Sequence, residues 1–385
     1  MRQNKTPVIR LVCATIFVAF TFAWLFCFQA DMLALAQHGL SGGQTHYERT
    51  IGAVITTAVL LAIHLLVYGL TRLSGRIHAL TYFPSMLLLA FLSSTSYPFS
   101  WGAWLWAGPL LLVGWSGAVW MGRQSQTTKS FRLPSGLFSQ SMWLNLLQMI
   151  AMMAGVAAVS NTNAVDHFKA HAEVALTNGD AEEALKAGAR SLETDEHLTM
   201  LRIFALSQKG ELPERLFGFA LAGSSADMLP LAGSKSRLLL MPDSLLWQHF
   251  GLNPADSLRQ TTLSVHAYLD SLERDTLATT AFRDYRLMGQ LIDRNLSTFV
   301  ATLPRYYILD ADSLPRHYRE ALVMWQQQCD TLFIYSDTLM LRRWHDYRGN
   351  DTIYLLPSER RLRTFDDYGD TYWYYYDADT TCSQP

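Results

Sequence analysis

The chain has 385 residues, half of them hydrophobic, and its 31 Lys and Arg nearly balance its 33 Asp and Glu for a net charge of −2. That balance hides a split: up to residue 160 only Asp31 and Glu48 are acidic against nine basic residues, so the first part carries +7 and the rest −9. Such a division argues against one water-soluble globule, and the acidic second part argues against nucleic acid as a partner.

A membrane-crossing helix needs about 20 mostly apolar residues, because the hydrocarbon core is about 30 Å thick. Five stretches are expected to cross. Leu11–Phe28 and Ile51–Leu70 are almost purely apolar, Ala79–Ser94 is shorter and holds Pro84, Trp101–Met121 carries five Trp, and Met142–Val159 carries Asn145 and Gln148. Cytoplasmic flanks are enriched in Lys and Arg. Arg2, Lys5 and Arg10 precede the first span, Arg72 and Arg76 follow the second, and Arg123, Lys129 and Arg132 follow the fourth, while the alternate connections hold only Arg49. Five crossings therefore put the N-terminus inside and the large second part outside. The first span has no small-x-small cleavage site near Phe28-Gln29-Ala30 and reads as a retained anchor. Inside the spans His64, Asn145 and Gln148 are the candidate polar groups, and with no acid, Lys or Arg there, proton or ion coupling is disfavoured.

Residues 161–385 read as a separate helical domain opened by the polar run Ser160-Asn161-Thr162-Asn163. Phe168, Ala172, Ala175 and Leu176 form one helical stripe, Asn178-Gly179-Asp180 a turn, and Ala184, Leu185 and Leu192 a second stripe, the pattern of a tetratricopeptide-type (TPR) hairpin. A weaker unit runs from Met200 through Lys209-Gly210-Glu211 to Phe217, with Arg202 where an apolar residue is expected. Residues 218–241 read as a long loop. Helices are then expected near 243–250, 255–273, 276–301 and 313–329, most of them started by Asp-Ser-Leu or Asp-Thr-Leu tripeptides acting as N-caps. Residues 331–385 interleave Trp344, Tyr347, Tyr372, Trp373 and other aromatics with arginines. They read as an aromatic tail closing the helical array, with a carbohydrate surface as the alternative.

There is no HExxH, GxSxG, Walker or GxGxxG motif, and no cofactor or metal is expected. His317 and Glu320 stand one turn apart, a spacing that usually marks a solvated helix face. Asp366, Asp367, Asp370 and Asp377 match no calcium loop, and Cys329 and Cys382 are either free or paired with each other. The stretches Leu314-Pro315-Arg316-His317-Tyr318-Arg319-Glu320-Ala321-Leu322 and Tyr368-Gly369-Asp370-Thr371-Tyr372-Trp373-Tyr374-Tyr375, following a multi-span region and a TPR-like pair, resemble a family of uncharacterised bacterial inner-membrane proteins with a TPR-like extracytoplasmic domain. The resemblance implies an inner-membrane location and an outward-facing helical domain, and carries no activity. The resulting expectation is an all-α chain: a five-helix bundle in the lipid bilayer presenting a TPR-like domain to a protein or peptide partner, with Phe168, Arg202, Tyr372 and Trp373 as candidate surface. A glycan-processing enzyme using acids such as Asp310, Asp312 and Glu320, or a transporter subunit, are the alternatives.

Overall fold

The computed structural model describes residues 6–73, 75–95, 102–128, 139–251, 253, 263–275, 279–328, 335–353 and 356–378. Lys129, Arg132, Cys329, Cys382 and the Asp256-Ser257-Leu258 and Asp330-Thr331-Leu332 tripeptides lie outside them. The described residues form helices and no strand. They divide into two compact units, Met1–Ala170 and His171–Pro385, about ten residues beyond the polar run where the break was expected.

The first unit contains α1 (Thr6–Ala23, continued by a π-helical turn Trp24–Phe28), α2 (Ala30–Ser41), α3 (Arg49–Thr71), α4 (Phe83–Ser93), α5 (Trp104–Thr128) and α6 (Gln140–Val159). In lipid every backbone N–H and C=O must be satisfied within the segment, which a helix alone achieves for an isolated span. The ends are capped by side chains: the Glu48 carboxylate accepts from Ile51 N at the start of α3, and Ser139 Oγ from Met142 N at the start of α6. Arg123 donates to the carbonyls of Leu70 and Thr71, the last turn of α3.

Among the described residues four helices are long and apolar enough to cross a membrane: Pro7–Phe28, Arg49–Thr71, Trp104–Gln124 and Gln140–Val159. The expectation of five such helices is corrected by Ala79–Ser94, whose apolar helix runs only over Ile77–Ser93. Pro84 has no N–H to give and biases the residue before it away from α-helix. Here Pro84 sits in the first turn of an 11-residue α4, and the eight residues before it wind as a 3-10 helix kinked at Ile77. At 1.5 Å per residue α4 rises about 16 Å, half of what a crossing needs.

This short segment is the buried centre of the unit. Asn145 clamps its start, its Oδ1 accepting from Ala79 N (2.7 Å) and its Nδ2 donating to Gly75 O (2.8 Å). Trp115 Nε1 donates to Leu80 O, and Ser85 Oγ donates to Leu60 O. At its far end Trp24 Nε1 donates to Ser93 Oγ and Asn161 N to Ser93 O. His64 stacks on Tyr82 with ring centroids 3.6 Å apart, its Nδ1 3.3 Å from Thr81 Oγ1.

The second unit holds the rest of α7 (Ala164–Thr177), then α8 (Ala181–Lys186), α9 (Glu196–Lys209), α10 (Leu212–Arg215), α11 (Asp243–Phe250), α12 (Val265–Arg274), α13 (Ala281–Ile292), α14 (Leu296–Thr302), α15 (Arg316–Gln328), α16 (Thr338–Ile353), α17 (Pro357–Tyr368) and α18 (Tyr372–Ala378). Three hairpins share one design, a long helix, a left-handed residue and a short helix. The left-handed residues are Gly179, Gly210 and Arg294, and Asp180 and Asn295 cap the short helices that follow the first and third. A 34-residue TPR unit carries two helices of about a dozen residues each, whereas α8 and α10 have six and four. The hairpins therefore form without the paired long helices of the repeat.

Of the Asp-Ser/Thr-Leu tripeptides, Asp337 caps α16 through Met340 N. Asp270 instead lies inside α12, and the residue capping α11 is Pro242, not Asp243. The expected 276–301 helix is broken between α13 and α14 at Asp293 and Arg294, and residues 218–241 are irregular apart from two single 3-10 turns. The aromatic tail is helical (α16 to α18) and part of the core, with the Trp373 ring 5.3 Å from Trp344 and 5.8 Å from Tyr347.

A candidate binding cleft

Three of the four residues expected at a partner surface lie inside the second unit. Arg202 is 1 % exposed. Its guanidinium donates to Ala220 O (2.9 Å), Gly188 O (3.0 Å), Ala187 O and Thr194 Oγ1, and its Cζ stands 5.3 Å from the Phe219 ring. Burial pulls its pKa down to about 10, so the side chain remains a cation at neutral pH. Tyr372 and Trp373 are fully buried. Phe168 belongs to the first unit, where it is half-buried.

Tyr372 and Trp373 rest on a charged cluster. His317 and Glu320 are both fully buried, which corrects the solvated face expected of that pair. The Glu320 carboxylate accepts from Arg316 Nε (2.9 Å), His317 Nδ1 (2.9 Å) and Tyr372 N (2.8 Å), and Glu320 O accepts from Trp373 Nε1 (2.8 Å). Arg316 also grips Asp370 with two nitrogens at 2.8 Å, which holds that carboxyl below its usual range. This explains the Arg316-His317 and Tyr368-to-Tyr375 motifs in physical terms: they meet across 50 residues to lock α18 onto α15.

Above this scaffold lies a cleft of about 1050 Å³. Its walls are the irregular segments Ala189–Thr194 and Phe217–Gly223 and the faces of α17 and α18 bearing Leu362, Phe365, Tyr374 and Tyr375. Arg202 stands behind the first two walls and ties them together. Apolar side chains rim the opening, with Leu192 74 %, Leu362 62 % and Phe365 41 % exposed. Arg190 and Arg294 bring two cations to the lining, which contains no carboxylate among the described residues. Arg294 lies over the Tyr375 ring, 4.4 Å from its centroid, and donates to Tyr375 O. Leu192, assigned from the sequence to an apolar helical stripe, lies beyond the end of α8, and that overrun was the one local sign of the cleft.

Of the acids named for an enzyme, among them the terminal ones, Glu320 and Asp370 meet only through Arg316, which pairs with both. Asp310 and Asp312 are exposed and Glu320 is neutralised in the core. Among the described residues no three His, Cys, Asp or Glu side chains gather to hold a metal. A second, smaller pocket of about 300 Å³ contains Ser225, His266 and Asp293. Ser225 Oγ lies 3.2 Å from His266 Nε2, but Asp293 takes both the N–H and the hydroxyl of Ser225 and so pins the 3-10 turn, instead of orienting the imidazole as a catalytic triad requires. Deep in the same unit, Asp284 accepts from Tyr307 and Tyr318, and desolvation raises its pKa.

In the first unit the polar groups serve packing. Asn145 spends both ends of its amide on the 3-10 segment and on Ser141 O, and His64 is fixed by Thr81 and Tyr82. Gln148 keeps a buried Oε1 with no partner among the described residues.

The described residues thus form an all-helical protein with membrane-compatible helices and a separate cleft-bearing unit. Residues 248–379, about a third of the chain, match a family model described as a family of unknown function (DUF6057). The match takes in both motif stretches, the charged cluster and the α17–α18 wall of the cleft. No curated protein and no solved structure matches the chain.

Proposed function

We propose that this chain is a membrane-anchored interaction protein of a bacterial inner membrane, whose second unit binds a protein or peptide partner in the cleft. The observation that carries the reading is the apolar rim of Leu192, Leu362 and Phe365 around a concave cavity whose described lining holds no acid. Large side chains left in water at the mouth of a cleft gain free energy when a partner covers them, roughly 25 cal/mol per Å². The alternation of long and short helices still presents its grooves as helical-hairpin scaffolds do, an analogy of fold class.

A Leu362→Asp or Phe365→Asp variant puts a charge on the rim without disturbing the core. Each is expected to weaken, by at least tenfold, retention of the partner that cross-linking recovers with the full-length protein from detergent extracts, with unchanged near-UV circular dichroism. Equal recovery by parent and variants would sink the cleft reading.

The same proposal places the N-terminus inside and the second unit outside, which needs an odd number of crossings. Single cysteines at Gln3 and Ser191, in a cysteine-free background, separate the alternatives. Only the second is expected to react with an impermeant maleimide in intact spheroplasted cells; equal reactivity of the two would mean four crossings.

A further inference from the structure

We infer that the cleft recognises an extended, acidic peptide segment, added as a strand along the backbone of Phe219–Gly223. This rests on the partner reading above and gives the partner its chemistry.

The first observation is the backbone of the cleft floor. Phe219 is extended (φ −109°, ψ 151°), and residues 219–222 form no helical turn. Ala220 O is taken by Arg202, and Ala222 N donates to Thr199 Oγ1. Ala220 N, Leu221 N and Leu221 O have no partner among the described residues. A half-buried backbone with open donors and acceptors beside an apolar groove is what strand addition uses: the main chain supplies pairing and alternate side chains enter the pockets. Arg202 fixes this edge from behind, so little ordering is needed when a peptide arrives.

The second observation is charge. Arg190 is exposed and Arg294 also lines the cleft, with no carboxylate among the described lining residues. The second part of the chain is otherwise acidic, so the two arginines make a local reversal of charge that favours carboxylates. The third is the wall itself: Phe219, Phe365 and Tyr375, which are not fully buried, bring apolar ring surface to the alternate side chains that a strand would direct inward. An acyl-chain amphiphile would use the apolar wall and the arginines but leave the open backbone groups unused, and for that reason a peptide is favoured.

The test is selection of random twelve-residue peptides displayed on phage against the full-length protein in nanodiscs, with R190E and L362D selected in parallel. Enriched peptides are expected to alternate apolar residues and to carry at least two acids. A synthetic copy of one is expected to bind at least tenfold more weakly to R190E, and to lose as much when its alternate amides are N-methylated. N-methylated and parent peptides within twofold of each other would overturn strand addition, and enrichment of basic or neutral sequences would overturn acid recognition. In either case peptides that still lose L362D leave the partner reading standing. Enrichment that L362D shares fully, or displacement by oleate with no peptide enriched, overturns the peptide site itself.

Discussion

Replacing Glu320 with Ala is expected to destabilise the second unit by about 3–5 kcal/mol, the cost of removing one partner from a buried charged cluster. Three donors lose their acceptor at once: Arg316 Nε, His317 Nδ1 and the Tyr372 amide. Neither His317 nor the Tyr372 amide can turn to water, since His317, Glu320 and Tyr372 are fully buried. Arg316 retains Asp370 and so keeps part of its compensation. Glu320→Gln preserves the shape and one acceptor and is expected to cost less, about 1–3 kcal/mol. For a unit of this size the Ala variant lowers the unfolding temperature by on the order of 10 °C. Hydrogen exchange supplies the local check: the amides of α18 lose protection in Glu320→Ala before those of α9. Equal protection of α18 in parent and variant would show that the cluster does not hold that helix. The same cluster sets a pH response. Arg316 holds Asp370 below its ordinary pKa, so its contribution is complete above the usual carboxylate range and is lost as the pH falls through the lowered value. Asp370 is half exposed, so this adds only a modest acid sensitivity.

The membrane-compatible helices were legible because uniform apolarity over about 20 residues has one main structural meaning. The weak point was legible too: Pro84 marked the segment that came out short. The hairpin turns followed from Gly179-Asp180 and Gly210, where a left-handed residue ends one helix before the next begins. Arg294, left-handed without being glycine, gave no such sign, and the break in the expected 276–301 helix passed unseen. Burial of charge was the least legible feature. A His and a Glu one turn apart look the same in sequence whether water or a tyrosine amide 52 residues away receives them. The aromatic run shows how helical geometry divides neighbours: Tyr372 and Trp373 turn into the core while Tyr374 and Tyr375 reach the cleft, as 100° per residue requires. The cleft itself draws on five separated stretches, of which only the one holding Tyr374 and Tyr375 belongs to a motif, so only folding brings them together.

The Arg202→Ala variant is expected to cost about 3–5 kcal/mol and, unlike the loss of Glu320, to loosen the cleft directly. Its guanidinium joins the carbonyls of Ala187 and Gly188 and the hydroxyl of Thr194 on one wall to Ala220 on the other. The planar fork is what lets one side chain serve acceptors in several directions. Lysine has a single nitrogen and cannot reproduce it. Arg202→Lys, which keeps the charge, is therefore expected to fall between parent and alanine, at about 2–3 kcal/mol, while Arg202→Met matches alanine because the orphaned carbonyls dominate over lost volume. Arginine at the expected apolar position of the second hairpin thus ties the end of α8 and the segment after it to the irregular segment that holds Ala220. Faster hydrogen exchange over residues 186–194 and 217–222 together, with α15 and α18 unchanged, is the expected signature. Exchange that rises uniformly across the unit would assign Arg202 to general stability and remove its role in shaping the cleft.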